Sequence, residues 1–301
     1  MNRKILITGG SGTVGQHLSM LLMRKGYEVV HLSRSEGKNP KIKTFLWNIE
    51  AKEIDANCID GVDVIVHLAG AGIADSRWTA ERKETIIKSR TESIQLVYEL
   101  LKKYPHQVKT VVSASASGFY SERGSEWMTE NNKPNNDFLG HCSVLWEQSV
   151  DEAHSLGLRV VKFRTGVILD KNSGALPKMA APVKFCIGSP LGSGQQFISW
   201  IHIDDVVHMY LKGIEDENLS GAYNMSTPNP ITNTELTKAI AKTLNKPLWL
   251  PHVPAFILKL IFGEMSEVVL GSTRMDVKKI LATGFQFKYP NINTALKEIY
   301  G

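Results

Sequence analysis

Thr8-Gly9-Gly10-Ser11-Gly12-Thr13-Val14-Gly15 follows the apolar run Ile5-Leu6-Ile7 and leads into a segment, Val14 to Arg24, whose apolar residues recur at helical spacing. A strand, a glycine-rich turn and a helix in that order are what a dinucleotide-binding loop requires. Gly9 permits the tight turn, Gly12 lets a pyrophosphate approach the backbone, and Gly15 lets the helix pack close to the sheet. The N–H groups at the helix start, around Thr13 and Val14, then face the phosphates. A tight turn with no ligand is the alternative, and the flanking elements weigh against it.

Outward from this loop, short apolar runs alternate with amphipathic stretches. Strands are expected at Lys4 to Thr8, Tyr27 to Ser33, Phe45 to Trp47, Val62 to Leu68, Lys109 to Ser115 and Arg159 to Arg164, with helices at Thr79 to Lys103 and Leu139 to Ser155. Short buried strands separated by helices predict an α/β fold, a Rossmann-type doubly wound parallel sheet. After Arg164 the rhythm changes. Residues 169–196 are rich in Gly, Pro and Ser and read as an excursion from the sheet, with a helix at Leu176 to Phe185. A return strand, Phe197 to Ile203, a helix, Asp204 to Ile214, and a strand, Ala222 to Met225, follow. The expected organisation is a Rossmann domain over 1–225, with 169–196 contributing to a small, mainly helical C-terminal lobe over 226–301 on the substrate side.

The second strand ends at Ser33-Arg34 rather than at a carboxylate. A hydroxyl and a guanidinium suit the extra phosphate of NADP, which a carboxylate would repel; Glu36 is the complication. The fourth strand ends in His67-Leu68-Ala69-Gly70, small enough for a cofactor to cross its tip, and Arg90 lies on the long helix that passes the same place. His67 reads as a packed histidine. NADP is the expected cofactor.

Composition narrows the class. Cys58, Cys142 and Cys186 form no CxxC pair, which argues against a disulfide framework or a zinc cluster and for no metal site. Val253 to Phe262, the longest apolar stretch, is well short of the roughly 20 residues a membrane span needs, and a cytoplasmic protein is expected. A net charge of +5 with scattered lysines makes nucleic-acid binding a weak inference.

The sequence resembles the extended short-chain dehydrogenases/reductases, and within them an atypical, epimerase-like branch with an added C-terminal domain. The residues that carry the resemblance are Thr8 to Gly15, Ser33-Arg34, Leu68-Ala69-Gly70, Arg77-Trp78, Ser89-Arg90, Ser113 to Ala116, Trp146-Glu147, Arg164-Thr165-Gly166, Trp200 to Asp205 and Ala282 to Phe285. The resemblance implies that Gly9 to Gly15 hold the pyrophosphate, Ser33 and Arg34 the NADP phosphate, Leu68, Ala69 and Arg90 further parts of the cofactor, and Ile168 its nicotinamide end. It implies structural roles for His202 and Asp205, and pairing of two chains through the helices at Thr79 to Lys103 and Leu139 to Ser155.

Catalysis is where the chain departs from the family. Typical members use a serine after the fifth strand with a tyrosine and lysine four residues apart on the next helix, the lysine lowering the pKa of the phenol. Ser115 matches the serine, but Cys142 and Trp146 take the expected tyrosine and lysine positions. Tyr120, His141, Cys142 and Glu147 remain as candidate proton donors, with Tyr120 nearest the serine strand; a packed aromatic is the competing reading of Tyr120. The Gly188 to Gly194 loop is a candidate mouth or lid. Two functions from different classes are open: an NADP-dependent oxidoreductase or epimerase acting on a small carbonyl or sugar-like substrate, and a non-catalytic NADP(H)-binding sensor.

Overall fold

The computed structural model describes residues 3–37 and 39–301. The first half builds strands β1 (Lys4–Thr8), β2 (Glu28–Ser33), β3 (Lys43–Asn48), β4 (Glu53–Ile54), β5 (Val62–His67), β6 (Thr110–Ala116) and β7 (Trp127–Met128) with helices α1 (Thr13–Arg24), α2 (Ala80–Lys103) and α3 (Phe138–Asp151). The second half adds β8 (Arg159–Thr165), β9 (Val167–Leu169), β10 (Phe197–Ile198), β11 (Trp200–His202), β12 (Gly221–Met225), β13 (Ile231–Thr232) and β14 (Arg274–Met275). Its helices are α4 (Ala175–Lys184), α5 (Ile203–Glu215), α6 (Asn233–Thr243), α7 (Ala255–Phe262), α8 (Glu267–Leu270), α9 (Lys278–Leu281) and α10 (Ile292–Tyr300).

Eight strands form the main sheet in the order β12-β8-β6-β5-β1-β2-β3-β4, and only the β3–β4 pair is antiparallel. The expected doubly wound sheet is therefore the fold. Both faces are covered, which is why the strands read as unbroken apolar runs: Ile5 and Ile7 pack with Leu18 and Leu22 of α1 and Met209 and Tyr210 of α5, whereas Leu6 packs with Ile94 and Val97 of α2 and Val150 of α3. Strand order reverses between β1 and its neighbours β2 and β5, so a crevice opens at their carboxyl ends, where Thr8, Ser33 and His67 lie. No helix among the described residues is long and apolar enough to cross a membrane.

Two expectations change in the second half. The return strand over 197–203 is broken at Ser199: β10 pairs with β13 and β11 with β9, because the Ser199 hydroxyl donates to the Thr273 carbonyl and accepts from the Met275 N–H. The C-terminal segment is also not wholly a separate lobe. A cluster of Leu169, Leu176 and Val183 with Trp200, Leu236, Ile240 and Leu296 joins the excursion to α6 and α10, but Val277, Ile280 and Phe285 pack into the main core beside α5 and β12. Burial of the apolar side chains at 277, 280 and 285 favours this docking. His202 and Asp205 close this junction as expected. His202 Nδ1 accepts from the Asp204 N–H, which leaves Nε2 to donate to Glu298, and Asp205 accepts from the Lys288 and Tyr289 N–H groups.

Candidate functional site

The glycine loop owes its shape to close approaches. Gly9 has φ +69°, and a Cβ on it would lie 2.8 Å from the Leu68 carbonyl carbon; one on Gly15 would lie 2.6 Å from Gly10 Cα. Gly10 has a separate reason: its Cβ would meet the buried His31 ring at 2.5 Å, and His31 in turn bonds Ser19 of α1. Gly12 differs, since its only neighbour is the Gly9 carbonyl oxygen at 3.3 Å and the space beyond it is open. It is also the N-cap of α1. Helices α2, α3, α5 and α6 are capped by the side chains of Thr79, Asp137, His202 and Thr232, whereas α1 has no side chain on its cap and no acidic residue in its first turn. The N–H groups of Thr13, Val14 and Gly15 therefore lack intrahelical partners at a helix end that favours anions.

The side chain of Thr13 points elsewhere. Its hydroxyl donates to Ser173 Oγ (2.7 Å), Ser173 donates to Asp170 Oδ1 (2.7 Å), and His17 Nε2 lies 3.3 Å from Asp170 Oδ2. Burial alone would raise the Asp170 carboxyl, but the bonds from Ser173 and Asn172 and the charge of His17 outweigh it and hold the group below its ordinary value. This chain, which sequence reasoning missed, fastens the dinucleotide loop to the start of the excursion.

At the tip of β5 a buried network fixes the backbone on which a cofactor would lie. His67 Nε2 faces the Arg90 carbonyl at 3.2 Å, an acceptor only, so Nε2 carries the proton and Nδ1 accepts from the Thr8 hydroxyl at 2.9 Å. Thr8 Oγ1 in turn accepts from the N–H groups of Leu68 and Ala69. Burial pushes the His67 ring down to about 4, so it is neutral and structural, as its setting in an apolar run implies. Arg90 donates to the Ala71 and Ile86 carbonyls, with its guanidinium carbon 3.2 Å from where a Gly70 Cβ would stand. Gly70 thus makes room for Arg90, and Arg90 shapes the strand tip by holding its main chain. Ser33 is half-buried at the end of β2; Arg34 and Glu36 are exposed, and neither forms an ion pair with another described residue. Ile168 sits on β9 opposite Ile201, half-buried at the edge of the main core.

Both candidate catalytic residues, Ser115 and Tyr120, are buried. Tyr120 is fully buried, donates to Asn224 Oδ1 (2.7 Å) and accepts from Arg164 (2.9 Å), and burial pushes its hydroxyl up to about 12. It is a core residue beside Phe119, Met128 and Met275, the packed aromatic of the competing reading. Ser115 is 3% exposed, and its hydroxyl donates to Glu147 Oε1 at 2.7 Å. Arg164 grips both Glu147 oxygens, at 2.8 and 3.0 Å, and its guanidinium stacks 3.5 Å from the Phe119 ring centre. Burial alone would raise the Glu147 carboxyl, but Arg164, then Lys162 and Ser115, more than offset it, and the group is held ionised. With its proton committed to Glu147, Ser115 offers a reacting group lone pairs only.

The helix register also differs. Cys142 turns toward Trp78, just before α2, and Ile86 of α2, and Trp146 lies beside Arg90; the residues that face the turn after β6 are Leu139 and Ser143, 3.2 and 3.6 Å from where a Gly118 Cβ would stand. Leu139, Ser143 and Glu147 therefore form the face of α3 toward the serine strand, and neither this register nor the one expected puts a tyrosine or lysine there. His141 is exposed, and burial raises the Cys142 thiol. The 188–194 loop is tied down: the Gly192 N–H donates to the Val253 carbonyl, the Val253 N–H to Pro190, and the Thr234 N–H to Gly194.

Comparison with known proteins agrees with this geometry. Residues 5–226 match the model of the NAD dependent epimerase/dehydratase family, and residues 253–299 match a domain of unknown function, DUF1731. The chain is 37% identical over 300 residues to the epimerase family protein YfhF of Bacillus subtilis (strain 168), covering 98% of this chain and 97% of the relative. It is 37% identical over 302 residues to the epimerase family protein SAR0825 of Staphylococcus aureus (strain MRSA252), covering 99% of each. Among solved structures it resembles the human epimerase family protein SDR39U1 (isoform 2) with NADPH, with a TM-score of 0.87, 28% identity and 99% of both chains covered. A nucleoside-diphosphate sugar epimerase from Corynebacterium glutamicum gives a TM-score of 0.82 at 31% identity, over 100% of this chain and 59% of that one. The chain belongs to the NAD dependent epimerase/dehydratase family, and carries the DUF1731 domain at its C-terminal end.

Proposed function

We propose that the protein binds NADP(H) at the β1–α1 loop and acts as an oxidoreductase or epimerase on a small carbonyl or sugar-like substrate. The observation that carries this reading is the crevice itself: an uncapped α1 N-terminus, open space beyond Gly12, and an exposed Arg34 without an ion-pair partner among the described residues at the tip of β2. Those groups fit a pyrophosphate and a ribose phosphate. The bound nicotinamide supplies or takes up hydride; the protein's own residues supply the rest. Leu68, Ala69 and Gly70, held by Thr8, His67 and Arg90, form the surface on which the cofactor lies. Ser115, fixed by Glu147, acts as a positioning acceptor for a substrate hydroxyl. In this reading the proton is exchanged with water, because the Ser115 proton is held by Glu147 and the Tyr120 phenol is sealed in the core.

A second reading, a sensor without turnover, is supported by the Thr13–Ser173–Asp170–His17 chain, which would pass cofactor occupancy from the loop to the excursion. Consumption of NADPH over a panel of quinones, aldehydes, ketones and nucleotide sugars separates the two. Turnover that falls at least tenfold in Ser115→Ala supports the enzyme; tight NADPH binding with no turnover on any of them supports the sensor.

A further inference from the structure

Six arginines are buried or half-buried, and five of them, Arg82, Arg90, Arg123, Arg159 and Arg164, donate to a carbonyl or carboxylate. Arg274 donates to no described residue and has no described carboxylate within 4.0 Å, and its Nε is buried without a partner. The side chain is nevertheless well fixed. In the parallel pair β7–β14, Arg274 stands opposite Trp127 and Met275 opposite Met128. Met128 and Met275 turn into the core with Phe119 and Tyr120, so alternation along the strands puts Trp127 and Arg274 on the other face. There the guanidinium carbon lies 4.0 Å from the Trp127 ring centre and 4.6 Å from that of Phe197. Three chain segments meet at this point, and their backbones are pinned: the Phe197 N–H donates to Ser272 Oγ, the Ser272 hydroxyl donates to the Gly124 carbonyl, and the Thr273 N–H donates to the Phe197 carbonyl.

We propose that Arg274 is an oxyanion-binding site, separate from the dinucleotide crevice, whose ligand is the carboxylate or phosphate group of a small organic anion. Rings on the guanidinium fix its plane and leave the two terminal nitrogens as the edge that can donate. Two parallel N–H groups on that edge match two oxygens of a carboxylate or phosphate. Trp127, 44% exposed, offers an apolar wall beside it for the rest of the ligand. The site needs no nicotinamide, so its failure leaves the proposed function untouched, and the reverse also holds.

Arginine-selective 15N labelling gives a cross-peak for the buried Arg274 Nε–H, assigned by its absence in Arg274→Gln. The wild-type protein is titrated with acetate and, separately, inorganic phosphate, with sodium chloride balancing ionic strength. The expected result is a saturable shift of that cross-peak with one of the two anions, which also says whether the site takes carboxylate or phosphate. The same anion raises the wild-type Tm, and the rise is lost in Arg274→Gln and reduced in Arg274→Lys. A cross-peak that neither anion moves, or an equal rise in Tm in the wild type and Arg274→Lys, overturns the proposal and leaves Arg274 as a rivet between two rings. The wild-type and lysine measurements decide the matter even if the glutamine variant fails to fold.

Discussion

Replacing Thr8 with valine keeps the shape of the side chain and deletes one oxygen, on which two buried groups depend, the Ala69 N–H and His67 Nδ1; the Leu68 N–H keeps its bond to the Thr8 carbonyl. A buried polar group left without its partner costs about 1–3 kcal/mol, so Thr8→Val is expected to lower stability by about 2 kcal/mol or more. The same network makes stability depend on pH. The ordinary value of 6.5 for His67 falls to about 4 in the folded protein, because burial disfavours the charged ring. Below pH 6.5 the unfolded chain takes up a proton that the folded chain refuses. The contribution of the neutral ring is therefore complete above 6.5 and is lost as pH falls toward 4, about 3 kcal/mol at about 1.4 kcal/mol per pH unit. Urea unfolding followed by tryptophan fluorescence at pH 7, 6 and 5 measures both effects. By pH 5 the wild type is expected to have lost about 2 kcal/mol through this ring, and His67→Gln to lack that loss. His31, also lowered by burial, adds a similar slope to both proteins and cancels in the comparison. The reasoning fails if Thr8→Val unfolds within about 0.5 kcal/mol of the wild type, or if His67→Gln keeps the full acid slope.

Glu147→Gln leaves Arg164 buried without its counter-ion and is expected to cost about 3–5 kcal/mol, read from the urea midpoint. Because the Glu147 carboxyl is held below its ordinary value of 4.5, its stabilisation is present above that pH and is lost as pH falls below it; unfolding between pH 5 and 3 should show a shallower slope in the variant. Tyr120→Phe removes the bonds to Asn224 and Arg164, so stability should drop by about 1–2 kcal/mol while kcat of any turnover stays unchanged; a large loss of kcat at intact folding would restore the tyrosine as a catalyst. Asp170→Asn weakens the chain from Thr13 to His17, and amide exchange at 170–174 should quicken without a change in the β-sheet.

The sheet was legible because its strands are buried on both faces. Ile5-Leu6-Ile7 and Val64-Ile65-Val66 carry no polar residue to confuse the period, and glycines mark the turn that follows β1. The crevice was legible from its glycines, since Gly9 and Gly15 mark close backbone approaches that only glycine permits and Gly12 leaves open space at the start of α1. What escaped were properties of three dimensions. The split at Ser199 depends on bonds to Thr273 and Met275, more than seventy residues away. The docking of Val277 and Phe285 on the main core depends on which surface the last helices meet. The register of α3 shows the limit most plainly: spacing alone allows either Cys142 and Trp146 or Leu139 and Ser143 to face the serine strand. Only the contact of Glu147 with Ser115 and Arg164 decides between them. Tyr120 followed the serine strand closely in sequence, but its ring turns inward, and no pattern of neighbours reveals that.

The central claim is that this crevice holds NADP(H). Calorimetric titration of the purified protein with NADPH and with NADH, repeated on Arg34→Ala, tests it most directly. The account predicts that NADPH binds at least tenfold tighter than NADH, about 1.4 kcal/mol, and that the substitution abolishes the difference. Equal affinity for the two nucleotides, or binding of neither, contradicts it.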